Sequence, residues 1–309
     1  MTTDSGRGNP PASTTTERAE HLGDFDLRPE VLKICAVALP VGGLAAVVAY
    51  ALLKLIGLFT NLFFTGTIST DLVAPHSSHW WVVLLVPIAG GLVVGLMARF
   101  GSEKIRGHGM PEAIEAILVG GSKVAPKVAV LKPVSAAISI GSGGPFGAEG
   151  PIIMTGGAVG SVLAQFLKLT ADQRKTLLVA GAAAGMAATF NAPLASILLA
   201  MELLLFEWKP RSLLPVALAV TVGTIVRWYL LGDVAIFGQP ESALHLTPLI
   251  FLYCAVIGVV GGLLAIVATG LVYFSEDLFG KLPIHWMWWP AIGGLIIGLG
   301  GLVEPHALG

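Results

Sequence analysis

Long uncharged apolar runs constrain the fold of this chain more than any other feature. Ile34–Leu53, Thr176–Met201 and Ser242–Ser275 are each long enough to cross a bilayer as a helix, which takes about 20 residues. The runs are continuously apolar and do not alternate, so they favour helices over the strands of a barrel. With 55% hydrophobic and 12% charged residues, the chain is predicted to be an all-α polytopic membrane protein.

Charge and cysteine usage exclude other classes of protein. A formal net charge of -1 argues against any broad attraction to nucleic acid. Cys35 and Cys254 lie inside apolar runs, where a thiol behaves as a small hydrophobe and not as half of a disulfide framework. The polar residues 1–30 lack the pattern of a signal peptide. They are predicted to be a disordered tail before a transmembrane domain over residues 31–309.

Glycine and proline interrupt the apolar sequence at Gly107–Pro111, Gly141–Pro151 and Asn191–Pro193. Each interruption precedes a predicted helix, so each places unpaired N–H groups and the positive end of a helix dipole at a break. Such ends are tolerated at membrane depth where they line a wet cavity, and they suit an anion. The predicted helices lie near 31–58, 80–100, 111–119, 128–140, 149–167, 174–189, 192–207, 212–231, 247–275 and 286–303.

The second interruption contains a single carboxylate, Glu149. Between Lys132 and Lys168 it is the only residue able to carry a charge. An intramembrane carboxylate without a local partner indicates a functional site. The alternative is a first-turn acid that complements its own helix dipole, but that gain of at most about 2 kcal/mol hardly offsets the burial of a charge.

Three motifs in one order resemble the CLC family of chloride channels and proton-coupled chloride antiporters. Gly107-His-Gly-Met-Pro-Glu112 resembles the family's G-S-G-I-P-E, and Gly147-Ala-Glu-Gly-Pro151 resembles its G-R-E-G-P. Residues 181–193 are similar to its G-A-A-A-G-x-A-A-x-F-N-A-P. The resemblance implies an inverted-repeat helical fold with broken, re-entrant helices, of which this chain holds the first repeat plus the start of the second. It also implies a homodimer in the lipid bilayer with an anion pathway in each subunit.

The resemblance further implies roles for particular residues. In the family, the glutamate of G-R-E-G-P occupies the outer anion site and swings away when it is protonated. That position is Glu149 here, which would act as a gate for chloride or a similar small anion. The expected anion-binding residues are Gly107, His108, Gly109, Met110, Gly147, Ala148, Glu149 and Gly150.

Two of these positions depart from the family pattern. His108 replaces a serine whose hydroxyl contacts the central anion. A neutral imidazole can still donate one N–H to an anion and an imidazolium would attract it more strongly; alternatively, His108 turns aside while main-chain groups hold the ion. Ala148 replaces an arginine, which removes a nearby positive charge.

A third departure concerns protons. The family's widespread glutamate falls on Glu202, which we expect to be a structural carboxylate satisfied by nearby backbone, and the proton-transfer glutamate falls on Leu203. Leucine cannot relay a proton, so the pattern favours a passive channel over a strict proton-coupled antiporter. A substitute proton route is Glu207, one helical turn later.

The last residues, 300–309, resemble the stretch that opens the second half of the family fold. The G-x-F-x-P motif and the tyrosine that faces the central anion do not follow. We therefore expect the chain to be C-terminally incomplete. The expected location is the plasma (inner) membrane, as a multi-pass protein.

Two readings from other classes stay open. Gly141-Ser-Gly-Gly144 superficially resembles a nucleophile turn, so Ser142 with His245 or His285 could form an intramembrane serine protease. A non-conducting subunit is the other. Neither displaces the expectation of a transporter and not an enzyme.

The remaining histidines and tryptophans indicate no cofactor. His76 and His79 have no carboxylate or cysteine beside them, so they do not predict a metal site. The pair Trp80-Trp81 and the cluster Trp286–Trp289 are typical of aromatic belts at a membrane interface.

Overall fold

The structure is a computed structural model that describes residues 29–75, 77, 79–107, 109–232 and 247–309. These residues form helices and contain no strand. Short π-helical turns, Met97–Gly101 and Ala200–Leu205, extend the second and seventh of these helices. The helices of this part of the chain are α1 (Pro29–Phe64), α2 (Trp80–Leu96), α3 (Met110–Leu118), α4 (Pro126–Gly141), α5 (Glu149–Phe166), α6 (Ala171–Phe190), α7 (Pro193–Leu199), α8 (Pro210–Leu231), α9 (Pro248–Gly280) and α10 (Trp289–Val303).

Each predicted helix is present, and the differences lie at the ends. Helix α1 continues to Phe64, beyond the predicted end at 58. Thr60 and Asn61 do not stop it because the Thr60 hydroxyl donates to the Ile56 carbonyl and the Asn61 amide donates to the Gly57 carbonyl. At the other end, α1 begins within the predicted tail, of which residues 1–28 lie outside the described part of the chain.

Helix α6 is the centre of the fold. Every residue from 176 to 189 is buried, and α5, α8 and α1 pack around it. This helix is rich in alanine and glycine, so its neighbours approach its main chain closely. Membrane helices associate through such small residues because lipid gives them no hydrophobic reason to do so.

Glycines decide the closest helix contacts. A Cβ atom on Gly181 would lie 2.2 Å from the Gly156 carbonyl oxygen, and one on Gly160 would lie 1.9 Å from the Leu177 carbonyl oxygen. Gly294 makes the same approach between α10 and α2. These glycines therefore have a packing role, since any side chain at their positions would push the helices apart.

In the part of the chain that the structure describes, five helices are long and apolar enough to cross a membrane. Helix α9 buries none of its residues within the described part of the chain, whereas α5 and α6 are largely buried among other helices. The chain is thus a multi-pass integral membrane protein. The five spans are Val31–Phe64, Trp80–Gly101, Pro210–Leu231, Pro248–Gly280 and Trp286–Val303.

The α5–α6 contact can be tested with a single methyl group. Gly160→Ala places a Cβ against the Leu177 carbonyl, and we expect it to lower the free energy of unfolding by about 1–3 kcal/mol. Gly262→Ala is the matched control, since nothing lies within 4 Å of its Cβ position. Thermal unfolding in detergent measures both. Equal unfolding temperatures for the two variants would contradict the packing role of Gly160.

Candidate functional site

The described helices α3, α5 and α7 begin at the predicted interruptions, at Met110, Glu149 and Pro193. The first two of these helix starts meet main chain to main chain. A Cβ atom on Gly109 would lie 2.4 Å from the Gly150 carbonyl oxygen, and Gly109 has φ of 114°. Glycine satisfies both conditions because it has no side chain and tolerates positive φ. The fold therefore brings the motif at 107–110 beside the motif at 147–150.

The start of α5 carries a row of free N–H groups. Helical pairing begins with Ile152, whose N–H donates to the Ala148 carbonyl. No acceptor among the described residues pairs with the N–H groups of residues 147–150. They lie at the positive end of an 18-residue helix, which is an arrangement that favours an anion.

Glu149 is the first residue of α5 and is half-buried. Its carboxylate makes no hydrogen bond or ion pair with any residue that the structure describes. Most carboxylates placed this deep in apolar sequence are paired. No described residue therefore holds this carboxylate in place.

Residues of this segment line two cavities. A cavity of about 520 Å³ is lined by Gly147 and Pro151, and a cavity of about 560 Å³ is lined by Ala148. Phe146 lines both, whereas Glu149 lines neither. The segment 146–151 therefore contributes to the walls of both cavities.

Lys132 holds the loop that leads to α3. Its side chain is only 3% exposed, and its Nζ donates to the carbonyls of Ile105, Arg106 and Gly107 at 3.0, 3.3 and 2.8 Å. A buried ammonium is costly unless its donors are satisfied, and here the loop supplies three acceptors. The hydrogen bonds fix the carbonyls of this loop toward α4.

Glu112 occupies part of the anion site that the sequence predicts around residues 107–110. Its Oε2 accepts a hydrogen bond from the Gly109 N–H at 2.6 Å, and its Oε1 fills the space where a Cβ of Gly107 would lie. The Gly109 N–H is therefore engaged by a carboxylate in this structure, in contrast to the expectation that it faces an anion. Met110 is half-buried and packs against the core. His108 lies outside the described residues.

The predicted substitute for the proton relay is not on a helix. The π-helical extension of α7 ends at Leu205, and Phe206 has φ of 57°. The spacing argument for Glu207 was therefore wrong, because the helix ends before it. Its carboxylate accepts a hydrogen bond from the Ser212 hydroxyl at 2.8 Å and pairs with Lys209 at 3.5 Å.

The other two positions considered for proton transfer, Glu202 and Leu203, lie on the π-helical extension of α7. Leu203 is 39% exposed. Glu202 is also exposed and has no hydrogen-bond partner among the described residues. The expectation that backbone groups satisfy Glu202 was wrong, because its side chain points away from the packed interior.

The protease alternative finds no support in the geometry. The Ser142 hydroxyl donates to the Ser139 carbonyl at 3.1 Å, and the ring nitrogens of His285 contact the Met287 N–H and Arg99. Ser142 and His285 therefore make no pair, and His245 lies outside the described residues. Within the described ranges, no three His, Cys, Asp or Glu side chains gather where they could hold a metal ion.

A sequence model described as voltage gated chloride channel matches residues 89–309. The chain belongs to this family, the CLC family. It is 29% identical over 249 residues to the putative chloride channel protein ClcB-like of Ralstonia nicotianae, covering 79% of this chain and 57% of the relative. It is 32% identical over 292 residues to the H(+)/Cl(-) exchange transporter ClcA of Salmonella arizonae, covering 90% and 60%.

A solved structure agrees with the family assignment. The CLC chain matches the crystal structure of a slow cyanobacterial Cl-/H+ antiporter with a TM-score of 0.75 at 24% identity, covering 92% of this chain and 66% of that one. The CLC-type helical fold with broken helices is thereby confirmed. The chain spans about 60% of the length of the Salmonella relative.

Sequence reasoning missed the two charged residues that shape the CLC loop. Lys132 entered only as the limit of an uncharged run, and Glu112 only as a motif letter. The available signal for Lys132 was a basic residue in the interior of α4, where the residues after Lys127 are otherwise uncharged. For Glu112 it was its position three residues after Gly109, which suits a carboxylate that reaches back to the helix start.

Replacing Lys132 tests the clamp on this CLC loop. Lys132→Met leaves three carbonyls without their donor, and we expect a loss of about 3 kcal/mol in the free energy of unfolding, since hydrogen bonds to charged groups contribute about 1.5–3 kcal/mol. Lys127→Met on the exposed start of α4 is the matched control. Thermal unfolding compares them. If Lys132→Met is no less stable than the control, the hydrogen bonds do not hold the loop.

Proposed function

We propose that this CLC chain forms the anion pathway of a chloride-type transporter, with Glu149 as its gate. The observation that supports this most directly is that segment 146–151 lines two cavities. At that position the segment offers consecutive N–H groups to an anion and carries one unpaired carboxylate. The proposal extends to a homodimer in the plasma membrane with residues 31–309 as one transmembrane domain.

The mechanism follows from competition for the same donors. An ionised Glu149 is stabilised by the N-terminus of α5, and so is a chloride ion. Protonation removes the charge of the carboxylate and therefore its attraction to the N–H groups. Glu149 then leaves the donors to the anion, which passes between the cavities.

Two residues set how strongly the pathway attracts an anion. Ala148 supplies no positive charge, so the main-chain N–H groups of residues 147–150 carry the attraction at the outer position. At the inner position, an anion competes with Glu112 for the Gly109 N–H, and His108 is the proposed additional donor. Anion selectivity depends on both positions.

Passive transport is the form of this function that the described residues favour. Leu203 has no proton to transfer, and Glu207 already pairs with Lys209 and Ser212. The Salmonella relative carries the name exchange transporter, so an antiporter that uses another proton route is the second candidate. A non-conducting subunit is the third candidate.

The gate is tested by anion efflux from liposomes that contain the complete protein. Wild-type efflux should increase as the pH falls, because Glu149 takes up a proton. Glu149→Gln imitates the protonated carboxyl, so its efflux at neutral pH should match the rate that the wild type reaches only in acid. It should also no longer depend on pH.

Glu115→Gln is the matched control, because Glu115 is an exposed acid on α3. This variant should keep the wild-type rate and pH profile. Efflux that Glu149→Gln or Glu149→Ala leaves unchanged at every pH would exclude Glu149 as the gate. No efflux from any variant or from the wild type would favour the non-conducting subunit.

Proton coupling is tested in the same liposomes with a chloride gradient and a pH electrode. We expect the gradient to drive no proton movement in the wild type, because position 203 cannot carry a proton. Leu203→Glu is the informative variant, since it restores a carboxylate at that position. Chloride-driven proton uptake by the wild type would establish the antiporter and overturn passive transport.

A further inference from the structure

Basic and aromatic side chains gather where α2 ends. Arg106 lies over the Trp286 ring, 4.4 Å from its centroid, and Arg99 contacts the Nε2 atom of His285. The rings of His285 and Trp286 lie 5.0 Å apart. We refer to Arg99, Arg106, His285 and Trp286 as the basic–aromatic cluster.

Arg99 and His285 are in direct contact at the end of α2. His285 Nδ1 accepts a hydrogen bond from the Met287 N–H at 3.2 Å, which leaves Nε2 as the ring nitrogen able to carry a proton. This Nε2 atom contacts the guanidinium of Arg99, which can only donate. An anionic oxygen beside the pair can accept from the N–H groups of both.

One of the two arginine charges in the cluster is uncompensated. Arg106 forms an exposed ion pair with Glu103 at 3.0 Å, whereas Arg99 pairs with no acid in the described ranges. The acids Glu276 and Asp277 lie on the exposed end of α9 and form no ion pair with the cluster. The remaining positive charge attracts an anion.

The cluster lies at the level of the membrane interface. Helix α2 and its π-helical turn form a span of 22 residues, Trp80–Gly101, which is about 33 Å long at 1.5 Å per residue. This length matches the hydrocarbon core of a bilayer, about 30 Å. Trp80 and Trp81 mark one end of the span and Trp286 lies at the other, as expected of two aromatic belts.

The charge distribution assigns this end of α2 to the cytoplasmic side. The loop 65–79, at the opposite end, contains no lysine or arginine. Short cytoplasmic loops are enriched in these residues, and the cytoplasmic leaflet holds anionic lipid. The basic residues in segments 97–109 and 281–288 are Arg99, Lys104, Arg106 and Lys281.

We propose that the basic–aromatic cluster binds the phosphate group of an anionic phospholipid from the cytoplasmic leaflet. The guanidinium of Arg99 matches two phosphate oxygens in a bidentate arrangement, and His285 Nε2 donates a further hydrogen bond. Arg99, Arg106 and His285 are all exposed to the surroundings. The bound phosphate links the segment around His285 to the end of α2.

The neighbouring surface favours a lipid over a soluble phosphate. Phe100 is 77% exposed and Trp288 is 47% exposed beside the basic groups. Such aromatic rings suit the glycerol and acyl part of a lipid. A free phosphate ion would use the basic groups alone.

The test is titration of phosphatidylglycerol into phosphatidylcholine micelles that contain the complete protein, followed by thermal unfolding and by native mass spectrometry. Wild type should be stabilised and should retain phosphatidylglycerol. Arg99→Gln should bind about fivefold more weakly, the effect of removing one basic residue near an anionic surface. Arg99→Lys should recover part of the affinity, and Lys127→Gln should bind like the wild type.

Three results would overturn the proposal. The first is equal affinity of Arg99→Gln and wild type, and the second is equal stabilisation by added phosphatidylcholine. The third is stabilisation by inorganic phosphate without phosphatidylglycerol, which would assign the cluster to a soluble anion. If Arg99→Gln does not fold, Arg106→Gln and the mass of the lipid retained by wild type decide between these outcomes. Lipid binding is measured without measuring anion flux, so its outcome is independent of the outcome of the test of the proposed gate.

Discussion

The contact between Gly109 and Gly150 is the constraint on which the site depends. Two helix starts lie against each other with a carbonyl in the space that any Cβ would occupy. This approach places the loop before α3 beside the start of α5, which puts two groups of main-chain dipoles in one place. The position of α5 is in turn fixed by its glycine contacts with α6. A shift of either helix would separate the two motifs.

The breaks between helices leave unpaired N–H donors, whereas the carbonyl acceptors at the break before α3 are paired. Lys132 takes up the carbonyls of residues 105–107, so these acceptors are satisfied inside the protein. The N–H groups of residues 147–150 have no such partner in the described structure. A region that retains donors and has used its acceptors favours an anion over a cation. The unpaired carboxylate of Glu149 lies at the same helix start, and the Glu112 carboxylate engages the Gly109 N–H.

Charged side chains have different surroundings near α4 and α5 and at the end of α2. Around α4 and α5 charged residues are scarce, and the buried Lys132 is surrounded by carbonyls. At the end of α2, the exposed Arg106 stacks on Trp286 and the exposed Arg99 contacts His285. Such a concentration is tolerated there because water and lipid headgroups screen it. The difference follows from the position of each group in the bilayer.

Much of the candidate site was predictable because its signals are local. Glycine and proline breaks predicted the starts of α3, α5 and α7, and Glu149 is the first residue of α5. The errors were at positions decided by neighbours. Asn61 continues α1 through a side-chain hydrogen bond, and a left-handed residue, Phe206, ends the helix before Glu207.

The sequence by itself determined the membrane class, the helices and the placement of Glu149 at a helix start. These depend on composition and on the backbone preferences of glycine and proline, which act over a few residues. Only the tertiary structure decided that Gly109 meets Gly150, that Lys132 clamps the loop before α3, and that Arg99 meets His285. Those contacts join residues 25 to 186 positions apart, and no local preference of the chain specifies which distant groups packing will bring together.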